Sequence, residues 1–497
     1  MNSFNQLNFT NSFASLPETF YSHVTPSLLK NSHLVAFNNT AASLLDLDND
    51  DQNRESLLPF LSGERVQKDS KPIAMLYSGH QFGGYSPQLG DGRAMMLGEV
   101  TNKSGEKWEL QLKGSGQTPY SRGADGRAVL RSTIREYLCS EAMHALGIPT
   151  TRALSITGSD EEVYRESIEK GAMLLRMAPS HVRFGSFEIF YHRQQYQEIQ
   201  TLANYIIEHH YPQLLDITEP NERYLALFEA VMTRTARMIS QWQQVGFSHG
   251  VMNTDNMSIL GLTLDYGPYG FMDEYDAGYI CNHSDTYGRY AFDQQPKIGK
   301  WNLGRLAQAM LPLFDETPKI AAEKVNALLP KYDEIFQQHY LNGMRAKLGL
   351  TDAHDDDESI IDELLEMMQQ SHVDFTNLFR SLSQFDPHDL ENNHLLRDQF
   401  VDRERFDLWA KFYALRIVTE ARDKSERKLS MEKVNPKYVL RNHLVQRAIE
   451  LAEAGDYTEI HRLHEILNHP FSEQTLPSYY ATPPPEESER IVVSCSS

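Results

Sequence analysis

The sequence predicts an α+β protein with two lobes, the first rich in strands and the second mostly helical, followed by a large helical C-terminal extension. Three observations support this prediction. The chain has 497 residues, more than one compact core usually accommodates. Alternating apolar and polar residues with glycine-rich turns are concentrated between residues 76 and 190, as is typical of strands. Helical spacing of apolar residues dominates after that point.

The same changes in pattern divide the chain into five segments. Residues 1–75 mix short helical pieces with polar loops and are interpreted as an N-terminal extension. The other segments are a strand-rich N-lobe at 76–190, a mostly helical C-lobe at 191–320, a helical extension at 321–478, and a Pro-rich tether with a Cys-bearing tail at 479–497.

The stretch EKWELQLKG contains the clearest predicted strand. Trp108, Leu110 and Leu112 alternate with polar residues, which is the period-two pattern of a half-buried strand. Lys113 is therefore expected on the face opposite the tryptophan and the leucines. The segments TRALSITG, EVYRE and GAMLLRMA are read as three further strands.

Two helices are predicted from apolar spacing. In ADGRAVLRSTIREYLCSEAMHALGIP, Leu130, Ile134, Leu138 and Ala142 recur every four residues, and Gly-Ile-Pro ends the pattern. A second apolar stripe runs from Leu225 to Trp242 and predicts a long helix in the C-lobe.

Composition and charge argue against several classes of protein. The chain is 40% hydrophobic and 23% charged, and no apolar run approaches the roughly 18 residues of a membrane span. A net charge of -21 argues against nucleic acid or a membrane surface as partner. Three cysteines and an N-terminus without a basic or apolar targeting pattern lead us to expect a cytoplasmic protein. We also expect a monomer.

The acidity is unevenly distributed along the chain. Residues 90–185 carry 13 Lys and Arg against 12 Asp and Glu, so the remaining residues hold the excess negative charge. A pocket for a small polyanion is therefore expected in this window.

Residues 249–268, HGVMNTDNMSILGLTLDYGP, suggest a cation site. If residues 257–260 pair with residues 261–264 in a hairpin, Asn256 faces Asp265 at a Cβ separation of about 5 Å. An amide and a carboxylate oxygen at that distance suit a hard divalent cation. The alternative is a hairpin whose polar ends simply face solvent.

The order of motifs is similar to the layout of protein kinases. A glycine-rich stretch, LGDGRA, precedes Lys113 on its strand, Glu136 follows on the helix, and His-x6-Asn and Asp-x-Gly come after a helical segment. A kinase catalytic loop has its aspartate base two residues after the histidine, whereas here Val251 stands two residues after His249. The nearest carboxylate is Asp255, and His249 is read as a structural anchor.

Longer blocks resemble the selenoprotein O family of kinase-like protein adenylyltransferases. They are GHQFGGYSPQLGDGRA, LQLKGSGQTPYSRGADGRAVLRSTIREYL, LLRMAPSHVRFGSFE, FSHGVMNTDNMSILGLTLDYGP and the C-terminal SCSS. The resemblance extends from about residue 70 to about residue 310 and returns at the tail. It implies a protein-kinase-like two-lobed fold and the transfer of AMP from ATP to Ser, Thr or Tyr hydroxyls of proteins, with release of pyrophosphate.

The resemblance also implies the roles of individual residues. ATP binds flipped relative to kinases, Asp255 acts as base, and Asn256 and Asp265 hold Mg2+ or Mn2+, with Asp265 also at the nucleotide. The residues implied to bind or orient the nucleotide are Gly90, Gly92, Arg93, Lys113, Asp125, Gly126, Glu136, Arg176 and Arg183.

The arginines give the implied chemistry a physical basis. Arg93, Arg176 and Arg183 lie in the charge-neutral window, and a leaving pyrophosphate needs fixed cations around it. An ordinary surface ion pair is the alternative for each of them. Arg127, Arg131 and Arg135, spaced by four, are instead expected to pair locally with acids and are left out of the site.

Two cysteines suggest redox control. Cys281 lies in what would be the activation segment of a kinase-like fold, and Cys495 stands where some family members carry selenocysteine. A reversible disulfide between them is one hypothesis, and two free thiols are the alternative.

Three functions remain open at this point. They are an adenylyltransferase that also accepts UTP and transfers UMP, a kinase-type phosphotransferase, and a nucleotide-binding pseudokinase scaffold. Val251 argues against the second, because valine cannot accept a proton. The retained Lys113, Asn256 and Asp265 argue against the third.

Overall fold

The computed structural model describes residues 4–47, 51–68, 70–485, 491 and 493. Within these ranges the strands are β1 (Phe9–Thr10), β2 (Tyr21–His23), β3 (His33–Phe37), β4 (Ile73–Met75), β5 (Gly79–Gln81), β6 (Gly84–Ser86), β7 (Ala94–Thr101), β8 (Lys107–Lys113), β9 (Ala128–Val129), β10 (Arg152–Tyr164), β11 (Ile168–Ala178), β12 (Phe247–Ser248) and β13 (Gly270–Phe271). The helices are α1 (Asn39–Ser43), α2 (Asp51–Leu61), α3 (Leu130–Ala145), α4 (Gly185–His192), α5 (Tyr196–His210), α6 (Pro220–Gln244), α7 (Gln295–Phe314), α8 (Pro318–Leu328), α9 (Lys331–Lys347), α10 (Asp357–Ser371), α11 (Phe375–Ser381), α12 (His394–Arg397), α13 (Arg403–Thr419), α14 (Lys424–Glu432), α15 (Asn442–Glu453) and α16 (Thr458–Leu467).

One antiparallel sheet organises the first part of the chain. Its strands lie in the order β2-β4-β7-β8-β11-β10-β3, with β1 paired to β7 and β9 paired to β11. The predicted combination of a strand-rich first part and a helical C-terminal region is confirmed. Strands β1 to β4 come from the first 75 residues, so the segment read as an extension contributes to the same sheet. The five segment boundaries stay predictions.

Strand β8 forms as predicted, but the expectation that it is half-buried is wrong. It lies between β7 and β11, and its polar residues Glu109 and Gln111 are as buried as its leucines. Each polar side chain finds a partner inside the protein: His181 for Glu109, and Arg176 and Asp91 for Gln111. Internal hydrogen bonds of this kind allow polar residues to be buried at little cost.

The separate strands predicted at TRALSITG and EVYRE are one strand. Both lie in β10, whose pairing with β11 shifts register between Gly158 and Glu162. The polar residues between them form a bulge rather than a turn, because the neighbouring strand continues alongside. GAMLLRMA lies in β11, as predicted.

The two predicted helices are confirmed as α3 and α6. The residues at helical spacing in α3 are at most 3% exposed, and Gly147, at φ 78°, follows its end. The stripe of α6 is buried except for Leu225, which is partly buried. No helix in the described part of the chain is long and apolar enough to cross a membrane.

Three hydrophobic clusters form the core of the part of the chain that the structure describes. One covers the face of the sheet beneath α1 and α2, a second joins the opposite face to α3 and the central helices, and a third lies among α9 to α13. The C-terminal helices α15 and α16 belong to the second cluster and pack on α3. The end of the chain therefore supports the helix that carries Glu136.

Candidate active site

A cleft of about 680 Å³ lies between the sheet and the loop that follows β12. The predicted site residues that line it are Gly90, Gly92, Arg93, Lys113, Asp125, Gly126, Arg176, Arg183, Asp255, Asn256 and Asp265. Glu136 lies behind this lining and contacts Lys113. The structure thus brings the nucleotide and metal candidates together in one place, although they are spread over more than 170 residues of sequence.

Lys113, Glu136 and Arg176 form a buried chain of charges. The ammonium of Lys113 bonds to Glu136, whose other oxygen accepts from Arg176 at 2.8 Å. Burial and the charges of Arg93 and Arg176 lower the pKa of Lys113, while Glu136 opposes the shift. Burial would raise the pKa of Glu136, but the two cations outweigh it and keep that pKa below its usual value. Glu136 therefore stays ionised and orients the lysine.

Asp265 is held between two arginines. Arg176 lies 2.6 Å from one carboxylate oxygen, and Arg183 contacts the other. Burial raises the pKa of Asp265, but Arg183, Arg176 and Lys113 together hold it well below its usual range. The backbone of Asp265 has φ 61°, a left-handed conformation that is uncommon for residues other than glycine.

The predicted hairpin at residues 257–264 does not form. Ser258 bridges to Arg183 and Thr263 bridges to Thr150, so both arms pair with other parts of the chain. Asn256 and Asp265 nevertheless meet, with the amide of Asn256 donating to Asp265 at 3.2 Å. The hairpin expectation is wrong because local apolar patterning cannot show which strand a segment pairs with.

Asp255 lines the cleft. Its Oδ2 accepts from Gln81 at 3.1 Å, and its Oδ1 is buried near Gly79 and has no hydrogen-bond partner among the residues that the structure describes. Burial raises the pKa of Asp255 to about 7, against the opposing effects of Gln81 and Arg183. Val251 also lines the cleft and offers no proton acceptor. Of Asp255 and Val251, only Asp255 carries a group that can accept a proton.

The glycines of the cleft allow the backbone to approach other groups closely. Gly90 has φ 109°, and a Cβ there would lie 2.7 Å from the ring of Tyr120. Gly126 has φ 70°, and a Cβ there would lie 2.0 Å from the carbonyl oxygen of Gly116. Side chains at either position would displace the loops that border the cleft.

The cleft carries an excess of positive charge. Seven Lys and Arg residues line it against four Asp residues, in a chain whose net charge is -21. This distribution supports the prediction of an anion pocket in the charge-neutral window.

The three arginines spaced by four follow the prediction only in part. Arg127 pairs with Glu161 and Arg131 pairs with Glu169, each at 2.9 Å, but neither acid is local in sequence and Arg127 lies before β9, not on α3. Arg135 instead donates to a backbone carbonyl, so the prediction of an acidic partner is wrong there. Arg127 also lines the cleft, although sequence analysis left it out of the site.

Sequence analysis missed several residues around the cleft. Gln81 donates to Asp255, Asn253 accepts from the backbone of Phe82 at 3.2 Å, and Arg165 lies 2.8 Å from Asp125. Their local sequence offers no distinguishing pattern. Asp91 was also missed, although it lies in the glycine-rich stretch LGDGRA. It is buried between Gly90 and Gly92 and accepts a hydrogen bond from the backbone of β4.

His249 anchors the loop, as predicted. It is buried, its Nε2 lies 2.9 Å from the carbonyl oxygen of Leu264, and its backbone N–H donates to Gln295. The Leu264 contact fixes the chain just before Asp265.

Cys281 lies outside the cleft. Its Sγ is 3.5 Å from the carbonyl oxygen of Ser248, and burial raises the pKa of the thiol to about 12. The next residue, Asn282, bridges to Val493 of the tail, and His283 N–H donates to Val493 at 2.8 Å. Cys495 lies outside the described residues, so the predicted pairing stays a prediction.

Comparison with known proteins decides the family. The family model for protein adenylyltransferase SelO matches residues 3–468. The chain belongs to the SelO family. A relative from Thioalkalivibrio sulfidiphilus is 53% identical over the whole of both chains, and one from Myxococcus xanthus is 51% identical over 99% of each. Both relatives are named protein nucleotidyltransferase YdiU.

Membership of the SelO family bears on the functions that the sequence left open. The chain is an enzyme of the nucleotidyltransferase class. The pseudokinase scaffold finds no support.

The SelO-family cleft offers oxygen donors for a divalent cation at one place. Asn256 carries an amide oxygen and Asp265 a carboxylate, and both residues line the cleft, where the amide nitrogen of Asn256 donates to Asp265. Hard oxygen donors of this kind suit Mg2+ or Mn2+. The residues present therefore fit such an ion.

Proposed function

We propose that this SelO-family chain has a protein-kinase-like fold and transfers AMP from ATP to Ser, Thr or Tyr hydroxyls of proteins. UTP serves as a second donor, from which UMP is transferred. One observation carries the proposal: Asp255 lines a positively charged cleft and burial raises its pKa to about 7, while the position of a kinase base is occupied by Val251.

The cations of the cleft suit a triphosphate and a leaving pyrophosphate. Lys113 is held by Glu136, and Arg176 and Arg183 converge on Asp265 beside it. Guanidinium groups make bidentate contacts with phosphate oxygens and stabilise charge that develops as a bond breaks. When ATP binds in the orientation opposite to that in kinases, these groups contact its outer phosphates. The α-phosphorus then faces the acceptor hydroxyl.

The proposed chemical step uses Asp255 as the base. The hydroxyl oxygen of the acceptor forms a bond to the α-phosphorus as the bond between the α-phosphorus and the bridging oxygen breaks. The hydroxyl proton passes to Asp255, and the bonding electrons leave with pyrophosphate. Gln81, which donates to the other oxygen of Asp255, orients the carboxylate.

Asn256 and Asp265 would hold Mg2+ or Mn2+. The ion supplies positive charge next to the phosphates when it is bound. Arg176 and Arg183, which now contact Asp265, are then free to bind phosphate oxygens.

Transfer of label from ATP tests the proposal. With the full chain and a protein acceptor, we expect label from α-labelled ATP on protein and none from γ-labelled ATP. Asp255→Asn should lower the rate by about 10²- to 10⁴-fold, the usual contribution of a general base. Asp216→Asn, at an exposed position, is the control and should leave the rate unchanged. Transfer of γ-label would instead support the kinase alternative and refute the proposal.

We also propose that a disulfide between Cys281 and Cys495 controls access to the site. Val493 lies beside Asn282, and the two residues from Val493 to Cys495 span at most about 7 Å. Formation of the bond removes two protons and two electrons, which a disulfide oxidant such as oxidised glutathione accepts.

The thiol count tests this pairing. After oxidation, the denatured wild-type chain should show one free thiol, from Cys139, whereas reduction should restore three. Cys495→Ser should show two free thiols in both states. Equal counts for the oxidised and reduced wild-type chain would contradict the pairing.

A further inference from the structure

A cluster of three metal-ligating residues lies next to the cleft on the other side of β5. His80 is on β5, and Glu188 and His192 are on α4. One ligand atom from each lies within 4.8 Å of the others. Successive residues of a strand face opposite sides, so His80 points toward α4 while Gln81 points toward Asp255.

Glu188 is a buried carboxylate with an unused oxygen. The residue is 1% exposed, and its Oε2 lies 2.5 Å from Nδ1 of His80. Its Oε1 has no hydrogen-bond partner in the part of the chain that the structure describes. Burying a carboxylate oxygen without a partner is costly, and a bound cation removes that cost.

We propose that His80, Glu188 and His192 form a binding site for a transition-metal ion of the Zn2+ type. Two imidazole nitrogens and one carboxylate oxygen are ligands that Zn2+ prefers, with water in the fourth position. Ligand atoms around tetrahedral Zn2+ lie about 3.3 Å apart, so the cluster contracts when the ion binds. His192 is exposed and can make this movement.

The ring of His192 packs on Tyr85, with ring centroids 3.8 Å apart, which limits its orientations.

The site is chemically distinct from the one at Asn256 and Asp265. That pair offers oxygen donors only, which suit Mg2+, whereas the cluster on α4 offers nitrogen donors. A metal here joins β5 to α4. Because the backbone N–H of His80 donates to Thr254 at 2.7 Å, the ion also braces the turn that carries Asp255.

Zn2+ titration of the chelator-treated full chain, by calorimetry in excess Mg2+, tests the proposal. We expect one Zn2+ per chain, and a loss of affinity of at least about tenfold in His192→Ala. His388→Ala, an exposed histidine outside the cluster, should bind as the wild type does. Asp265→Ala should also retain the site, because the cluster does not use that carboxylate.

A second measurement locates the ion directly. Crystals of the full chain soaked in Zn2+ should show anomalous scattering between β5 and α4 at the zinc absorption edge. Absence of that peak, unchanged affinity in His192→Ala, or loss of binding in Asp265→Ala alone would each overturn the proposal. The last result would assign the metal to the nucleotide cleft.

Discussion

Asp265→Ala is expected to abolish nucleotidyl transfer, with kcat lowered by at least about 10³-fold. The substitution removes the one carboxylate of the proposed Mg2+ site. It also removes the partner that positions Arg176 and Arg183. Initial rates of transfer from α-labelled ATP at saturating Mg2+ measure the effect.

Loss of folding must be separated from loss of chemistry in this variant. Removing one partner of a buried ion pair destabilises a protein by about 3–5 kcal/mol, so the free energy of unfolding should be measured in urea. Asp265→Asn keeps the shape of the side chain. It should be as inactive as Asp265→Ala but have a larger free energy of unfolding. Asp407→Ala, which breaks an exposed pair with Arg397, is a control expected to be active. A folded Asp265→Ala protein within twofold of wild-type activity would refute the site assignment.

Lys113→Ala is expected to lower the rate of transfer by about 10²- to 10³-fold, the usual cost of losing one preorganised charge at a reacting phosphate. The variant also leaves Glu136 with a single cationic partner, Arg176. Both KM for ATP and kcat should change, because in the proposed mechanism the lysine contacts phosphate before and during bond breaking. Steady-state kinetics with varied ATP measure the two effects.

Lys107→Ala provides a matched control on the same strand. Lys107 begins β8, its side chain is 42% exposed, and it lies 3.8 Å from Glu99 outside the cleft. Its removal should leave kcat and KM unchanged. Equal effects of the two substitutions would mean that Lys113 acts only through the stability of β8.

Lys113 and Glu136 could be placed from the sequence because their elements have strong local patterns, whereas the other nucleotide candidates came from the family resemblance. Period-two alternation placed Lys113 on the face of β8 away from the leucines, and four-residue spacing placed Glu136 on α3. Once a strand and a helix are correctly assigned, the side chains they present follow from their geometry. The contact between Lys113 and Glu136 is the result.

The environment of Asp265 could not be found in this way. Arg176 and Arg183 precede it by more than 80 residues, and their contacts depend on how β11 and the loop after it meet the loop after β12. Local patterning carries no information on such packing. The same limit explains the incorrect hairpin at residues 257–264 and the missed contact between Gln81 and Asp255.

The N-terminal strands were missed for a different reason. Strands β2 and β4 are three residues long, which is too short for alternation to be distinguished from chance. They are formed because their neighbours in the sheet supply hydrogen-bond partners, so tertiary context decides their structure.

The packing of α15 and α16 on α3 has a consequence for biosynthesis. During translation, α3 leaves the ribosome some 300 residues before the helices α15 and α16 that pack on it. A nascent polypeptide that ends before α15 therefore lacks two of the packing partners of the helix that carries Glu136.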